Sequence, residues 1–210
     1  MILMRTREEK VATIEFYNTN AQRYTENRTP PRDASIKMFA GFLKNKKHVL
    51  DLGCGPGTDM VAMRSAGLEP VGIDAALSMC DLARNEGFVV RCADFENMVH
   101  FRTEYFDGIW ARNSLLHSPP TVLPKILREL SYITTPNGVL FVSMKESKSD
   151  NIEEEVKQSP FGFTYYCYWP VWDLEAVARS AGFHVFSVGW VGNDSFGERQ
   201  VVEFFARKKE

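Results

Sequence analysis

From His48 onward the chain alternates short apolar runs with amphipathic segments, and this alternation limits the fold more than any other feature. HVLDLG, starting at His48, has the composition of a buried strand; a helix follows from Thr58 to Ala66 and stops at Gly67. PVGID is a second strand, followed by a helix from Ala76 to Asn85 that stops near Gly87. FVVRC, FDGIWA and VLFVSM supply the third, fourth and fifth strands. Between the last two lies a helix from Thr121 to Thr134, with Pro124 in its first turn, where a missing N–H costs little. Pro136, Asn137 and Gly138 are expected to turn the chain into the fifth strand, and Glu175 to Ser180 to lie in a last helix stopped by Gly182. Such alternation predicts a parallel sheet covered by helices on both faces.

The end of the chain departs from the pattern. FHVFSVGWV and QVVEFFARK are separated only by Gly192 to Arg199, a gap too short for a helical crossover, so the two must pair antiparallel. The start departs as well. Glu8 to Arg28 is polar, with Phe16, Tyr17 and Tyr24 set into it, and has the pattern of one or two short amphipathic helices. Pro30 and Pro31 then break the chain, and Asp33 can cap a further helix through Ile36, Phe39, Ala40 and Leu43. The expected organisation is one domain over 1–210, with a helical cap over 1–45 and the α/β core over 46–210.

Composition removes several function classes. A hydrophobic share of 44% is too high for a disordered chain. A net charge of -2 with interspersed signs is a poor match for duplex nucleic acid, so a nucleic-acid partner is not expected. Met1 to Met4 is too short for the apolar core of a signal peptide, and no apolar run approaches the length of a bilayer span. Cys54, Cys80, Cys92 and Cys167 show no CxxC spacing, as expected of thiols in a reducing cytoplasm. His48, His100, His117 and His184 are scattered without metal-ligand spacing, so no metal is expected.

The sharpest local signal is VLDLGCGPGT, Val49 to Thr58, with glycines at 53, 55 and 57 directly after a strand and before a helix. Glycine is needed where backbone turns tightly or approaches a ligand. The third glycine falls one position early for the dinucleotide fingerprint GxGxxG. Asp51 stands ahead of the glycines, where a carboxylate suits a cationic ligand rather than a pyrophosphate. Asp74 ends the second strand, where a carboxylate can accept from both hydroxyls of a ribose, or else cap the helix that follows.

Together with CADFEN (Cys92 to Asn97) and FDGIWARNSLLH (Phe106 to His117), these motifs resemble the class I S-adenosylmethionine-dependent methyltransferases. The resemblance covers about Val49 to Lys145 and implies a Rossmann-like, doubly wound, seven-stranded mixed sheet whose last strand is antiparallel. It implies S-adenosylmethionine as cofactor. Asp51, Gly53 and Gly55 would form the donor loop, Asp74, Ala75 and Met79 would face the ribose side, and Asp94 and Phe95 would hold the adenine. Ala111 and Arg112 would lie beside the methionine end, and Tyr24 of the cap would close over it.

The methyl group of a sulfonium is already activated, so the protein mainly positions the reactants and excludes water. A base is needed only for an acceptor that carries a proton at neutral pH. His117 is the candidate base; its plainer role is a packed or hydrogen-bonded loop histidine. Arg112 and Lys145 could bind an acidic group or be solvated loop charges. The aromatic stretch Phe161 to Trp172 could wall an acceptor site or simply fill the core. A small-molecule acceptor is expected. Methylation of RNA or protein, an NAD-dependent oxidoreductase and a non-catalytic S-adenosylmethionine-binding module are the alternatives.

Overall fold

The computed structural model describes residues 2–27, 33–44, 46–96, 98, 101–194 and 197–209. Arg28, the break expected at Pro30 and Pro31, and Asn97 and His100 lie outside the described residues. The N-terminal helices are α1 (Ile2–Thr19), α2 (Ala21–Glu26) and α3 (Asp33–Leu43). The core then runs β1 (His48–Leu52), α4 (Thr58–Ser65), β2 (Glu69–Asp74), α5 (Leu77–Asn85), β3 (Val90–Cys92) and β4 (Phe106–Arg112). After a short 3-10 turn at Leu115–His117 come α6 (Leu123–Ile133), β5 (Thr134–Lys145), β6 (Glu153–Ser159) and β7 (Gly162–Tyr168). The chain ends with α7 (Val171–Ser180), β8 (Phe183–Asn193) and β9 (Gln200–Lys208).

The main sheet has seven strands in the order β3-β2-β1-β4-β5-β9-β8. Strands β1 to β5 pair parallel, and β9 is antiparallel to both β5 and β8. The mixed sheet with a reversed last strand is therefore as expected. The order reverses between β1 and β4, and a crevice opens outside the carboxyl ends of strands at such a switch point.

Period-2 alternation sends successive side chains to opposite faces, so each central strand feeds two cores. Leu50, Leu52, Ile109, Leu140 and Val142 pack with Ile126, Leu127 and Leu130 of α6 and Leu174 of α7. Val49, Trp110 and Phe141 pack on the other face with Ile36, Phe39 and Leu43 of α3 and Met63 of α4.

Two features differ from the sequence expectation. The turn at Pro136 to Gly138 is instead a bulge inside β5: Phe106 pairs Thr134, but Gly108 already pairs Val139. Asn137 there takes a positive φ of 63°, which asparagine tolerates. The connection between β5 and α7 is folded into the antiparallel hairpin β6–β7, a separate two-stranded sheet. The aromatic stretch Phe161 to Trp172 is divided: Tyr165 and Trp169 join the core, while Phe161, Phe163 and Trp172 are exposed.

Gly108 shows how tightly α3 sits on β4. A Cβ there would lie 2.5 Å from Phe39 Cζ and 3.1 Å from Leu43 Cδ2. Gly108→Ala is expected to destabilise the fold by about 1–3 kcal/mol through overpacking, measured as a lower denaturant midpoint with an unchanged slope.

Candidate active site

The floor of the crevice is the loop leaving β1. Gly53 N and Cys54 N both donate to Ile73 O, at 2.8 and 3.0 Å, which bends the chain over the end of β2. Gly53 has φ 73°, and a Cβ on it would meet Ser114 Cβ at 2.4 Å, so only glycine fits this turn. Asp74 at the end of β2 holds the loop: Gly55 N donates to its Oδ2 at 2.8 Å, and Ala76 N to its Oδ1 at 2.9 Å. The second of these bonds closes a turn ahead of α5, whose N-cap residue is Ala76 rather than Asp74.

Above this floor lies a partly open cavity of about 100 Å³. Among the residues expected to hold a donor, Tyr24, Gly53, Gly55, Asp74, Ala75, Met79, Asp94, Phe95 and Arg112 line it, and so does His117. Asp51 and Ala111 are buried in β1 and β4 and do not reach its wall.

Helix α1 crosses the cavity as a strap. At one end Lys10 is ion-paired with Asp94 and lies 3.0 Å from Glu96. Burial disfavours its ammonium, but the two carboxylates outweigh that and hold its pKa above the ordinary value. Farther along, Tyr165 N of β7 donates to Thr13 Oγ1 at 2.9 Å, and Ser78 N of α5 donates to Asn18 Oδ1 at 3.1 Å. Arg23 of α2 stacks 3.6 Å over the Phe161 ring at the hairpin tip. Lys10, Thr13, Ile14, Asn113 and Ser114 line the cavity without having been singled out in the sequence. Asn113, with φ 53°, carried the one available signal, an αL-tolerant residue at a strand end.

The opposite end of the cavity corrects two expectations. Arg112 is not a solvated loop charge: it is buried, and its Nε lies 2.9 Å from Asp59 Oδ2, which also accepts from Trp110 Nε1 at 2.9 Å. Lys145 is also largely buried. Its Nζ lies 3.0 Å from Asp194 Oδ2 and 5.1 Å from the centre of the Tyr166 ring. Burial would raise the Asp194 carboxyl, yet Lys145 and the backbone N–H of Glu198 hold it below the ordinary range.

His117 has partners on both ring nitrogens. Its Nδ1 lies 2.8 Å from Tyr165 O, and its Nε2 lies 3.1 Å from Tyr17 Oη. A carbonyl can only accept, so Nδ1 carries the proton and Nε2 accepts from the phenol. The Tyr17 ring is edge-on to both Tyr24 and His117, with centroids 5.4 and 5.5 Å apart. Tyr166 covers the other side of the imidazole, with ring centroids 5.1 Å apart. Burial, with the nearby Lys145 charge, pushes His117 down to about 4 against the opposing pull of the Tyr165 carbonyl. Burial raises Tyr17 well above its ordinary value and Tyr166 to about 12.

A cavity thus lies at the switch point of this sheet order, floored by a glycine loop tied to a strand-end carboxylate. Residues 49–138 match the family described as a methyltransferase domain. Curated relatives agree over part of their length. Trans-aconitate 2-methyltransferase of Delftia acidovorans is 32% identical over 135 residues, covering 61% of this chain and 48% of the relative. Ubiquinone biosynthesis O-methyltransferase of Actinobacillus pleuropneumoniae is 35% identical over 124 residues, covering 54% of this chain and 52% of the relative. The chain thus spans about half the length of the curated relatives it matches. Among solved structures, the Burkholderia thailandensis 1,6-didemethyltoxoflavin-N1-methyltransferase, with bound 1,6-didemethyltoxoflavin and S-adenosylhomocysteine, superposes with a TM-score of 0.72. It has 18% identity and covers 96% of this chain and 87% of its own. No helix among the described residues is long and apolar enough to cross a membrane.

The state of His117 has a measurable consequence. Its folded pKa is about 4, below the ordinary 6.5, so under acid conditions the unfolded chain takes up a proton that the folded protein refuses. Stability is expected to fall as pH drops from about 6.5 to about 4, by about 3 kcal/mol at most from this group. His117→Gln should flatten that part of the curve in urea titrations across the pH range.

Proposed function

We propose that this protein transfers a methyl group from S-adenosylmethionine to a small-molecule acceptor. The observation that carries the reading is the strand-end Asp74 carboxylate, held by Gly55 N and Ala76 N and lining the cavity beside the glycine loop. The residues suit the donor on further counts. The Gly53 turn leaves no room for a Cβ, and Ser114 Oγ on the same wall is buried without a partner. The names of the two relatives and the toxoflavin enzyme also favour a small acceptor.

When bound, the donor supplies an activated methyl on a cationic sulfur. Asp74 would accept from the ribose hydroxyls, with Ala75 and Met79 beside them. Asp94 and Phe95 would hold the adenine, at the end of the cavity where Asp94 pairs with Lys10. Gly53, Asn113 and Ser114 would hold the methionine end. Arg112, engaged by Asp59, fixes the end of β4 rather than binding the ligand. Asp51 acts from beneath the loop, and Ala111 is packing. Tyr17 and Tyr24 close the cap and exclude water. Cap and core work as one domain, and the four free thiols suit a cytoplasmic setting.

S-Adenosylhomocysteine should raise the melting temperature, with about 2.7 kcal/mol of stabilisation at a hundredfold excess over Kd, while NAD should not. The opposite pattern would favour an oxidoreductase. Asp74→Ala should weaken S-adenosylhomocysteine binding in calorimetry, each lost charge-assisted bond being worth about 1.5–3 kcal/mol. The apo protein should also melt earlier, because Gly55 N and Ala76 N lose their acceptor. Lower stability with unchanged affinity would leave Asp74 only its role in tying the glycine loop to the start of α5.

A further inference from the structure

Two of the four thiols meet beside the Asp74 carbonyl. Cys80 points from α5 toward β3, with its Sγ 3.3 Å from Asp74 O and 3.9 Å from the carbonyl oxygen of Arg91, the residue before Cys92. Cys92 ends β3 as the register partner of Asp74, and its Sγ lies 3.9 Å from Ala75 O. The sulfurs therefore bracket the Asp74–Ala75 peptide, and they are near enough to hydrogen-bond to each other. Their surroundings differ. Cys80 is fully buried, and burial, with the Asp74 charge beside it, pushes its pKa up to about 12; Cys92 is exposed. The methyl-transfer reading uses neither thiol. Cys54 shares the apolar cluster of Cys80, and Cys167 lies in the main core.

We propose that Cys80 and Cys92 are a reversible oxidation site that closes to a disulfide under a hydroperoxide and that, resting on the methyl-transfer reading, this disulfide weakens donor binding. The exposed Cys92 reacts first: its sulfur takes one oxygen of hydrogen peroxide to become a sulfenic acid, and the other oxygen leaves as water. The Cys80 sulfur then forms the S–S bond as the S–O bond breaks, and the departing hydroxide carries off the Cys80 proton as a second water. Two thiols thus give up two hydrogens and two electrons to one peroxide. Cys80, buried and protonated, is shielded from peroxide, so it acts as the resolving thiol and the second step is the slow one. Both S–H donors are consumed. Asp74 O keeps the Ala93 N–H at 2.9 Å but loses Cys80, and Ala75 O loses Cys92. The new bond also draws α5 toward β3 across the peptide that carries Asp74 and Ala75, two residues of the cavity wall. In a reducing compartment such a bond is transient and returns to thiols once the oxidant is gone.

Trypsin separates the sites for the test: Arg64, Arg84 and Arg91 place Cys80 in residues 65–84 and Cys92 in 92–102, with Cys54 ahead of Arg64. Reduced protein is exposed to hydrogen peroxide, quenched, and alkylated while unfolded. The expected product has lost the mass of two hydrogens, yields a cross-link between 65–84 and 92–102, and returns to thiols in dithiothreitol. Cys92 carrying added oxygen while Cys80 is still alkylated, or Cys80 joined to Cys54, would overturn the site. Cys92→Ser, an exposed change, should stay folded and form no cross-link. Calorimetry with S-adenosylhomocysteine reads the coupling. Oxidation should weaken binding by about fivefold or more, a modest coupling between sites. Dithiothreitol should restore it, and Cys92→Ser treated alike should keep its affinity, which sets methionine oxidation aside as the cause. Equal affinity of the reduced and cross-linked forms, or an equal loss in Cys92→Ser, would overturn the coupling. Reduced protein that binds no S-adenosylhomocysteine would instead refute the methyl-transfer reading.

Discussion

The carboxylate of Asp74 joins two segments that the parallel sheet brings together only at their ends. One oxygen takes the N–H of Gly55, from the loop after β1, and the other takes the N–H of Ala76, at the start of α5. Without this charge Gly55 N and Ala76 N would lose the acceptor that ties the glycine loop to the start of α5. Everything along the cavity floor is placed from there. Gly53 turns under Ser114, Met79 comes up one turn along α5, and the β2–β3 pairing sets Cys92 opposite Asp74, which brings Asp94 to the rim. The carboxylate that best suits a ribose is thus also the one on which the local architecture rests.

The floor was legible in the sequence because it is local. Glycine spacing, a strand-end Asp and the residues after the third and fourth strands are short-range patterns with direct backbone consequences, and they identified most of the cavity lining. Topology was legible for a similar reason: the gap from Gly192 to Arg199 is too short for a crossover, whatever the side chains. The bulge in β5 was hidden because Pro136, Asn137 and Gly138 have the composition of a turn whether or not pairing resumes on the far side.

The roof was legible as a helical cap but not in its contacts. Lys10, Thr13 and Tyr17 lie on a helix whose polar and apolar residues give no clear stripe, because its buried side faces a polar crevice rather than a hydrophobic core. The partners of that helix, Asp94, Tyr165 and His117, come from distant segments, so no spacing could announce them. The β6–β7 hairpin escaped for a related reason. Glu153, Glu155 and Lys157 alternate with Glu154, Val156 and Gln158, a pattern with too little apolar content to mark a strand. The hairpin adds no strand to the main sheet. It holds an aromatic β7 against α1 and uses its acidic strand to accept from Tyr165 Oη and Tyr168 Oη, at 2.6 and 2.9 Å. Of the two alternatives for Arg112 and Lys145, the solvated charge fails because Asp59 and Asp194, from distant segments, compensate each cation on burial.

Roof and floor impose opposite electrostatic conditions on whatever lies between them. At the Lys10 end, charges are paired and partly exposed, so exchanging one partner for another costs little. At the His117 end Tyr17 and the imidazole are buried and neutral, and the Lys145 charge behind them is already matched by Asp194, so an additional charge there would enter a low-dielectric wall whose nearby cation is committed elsewhere.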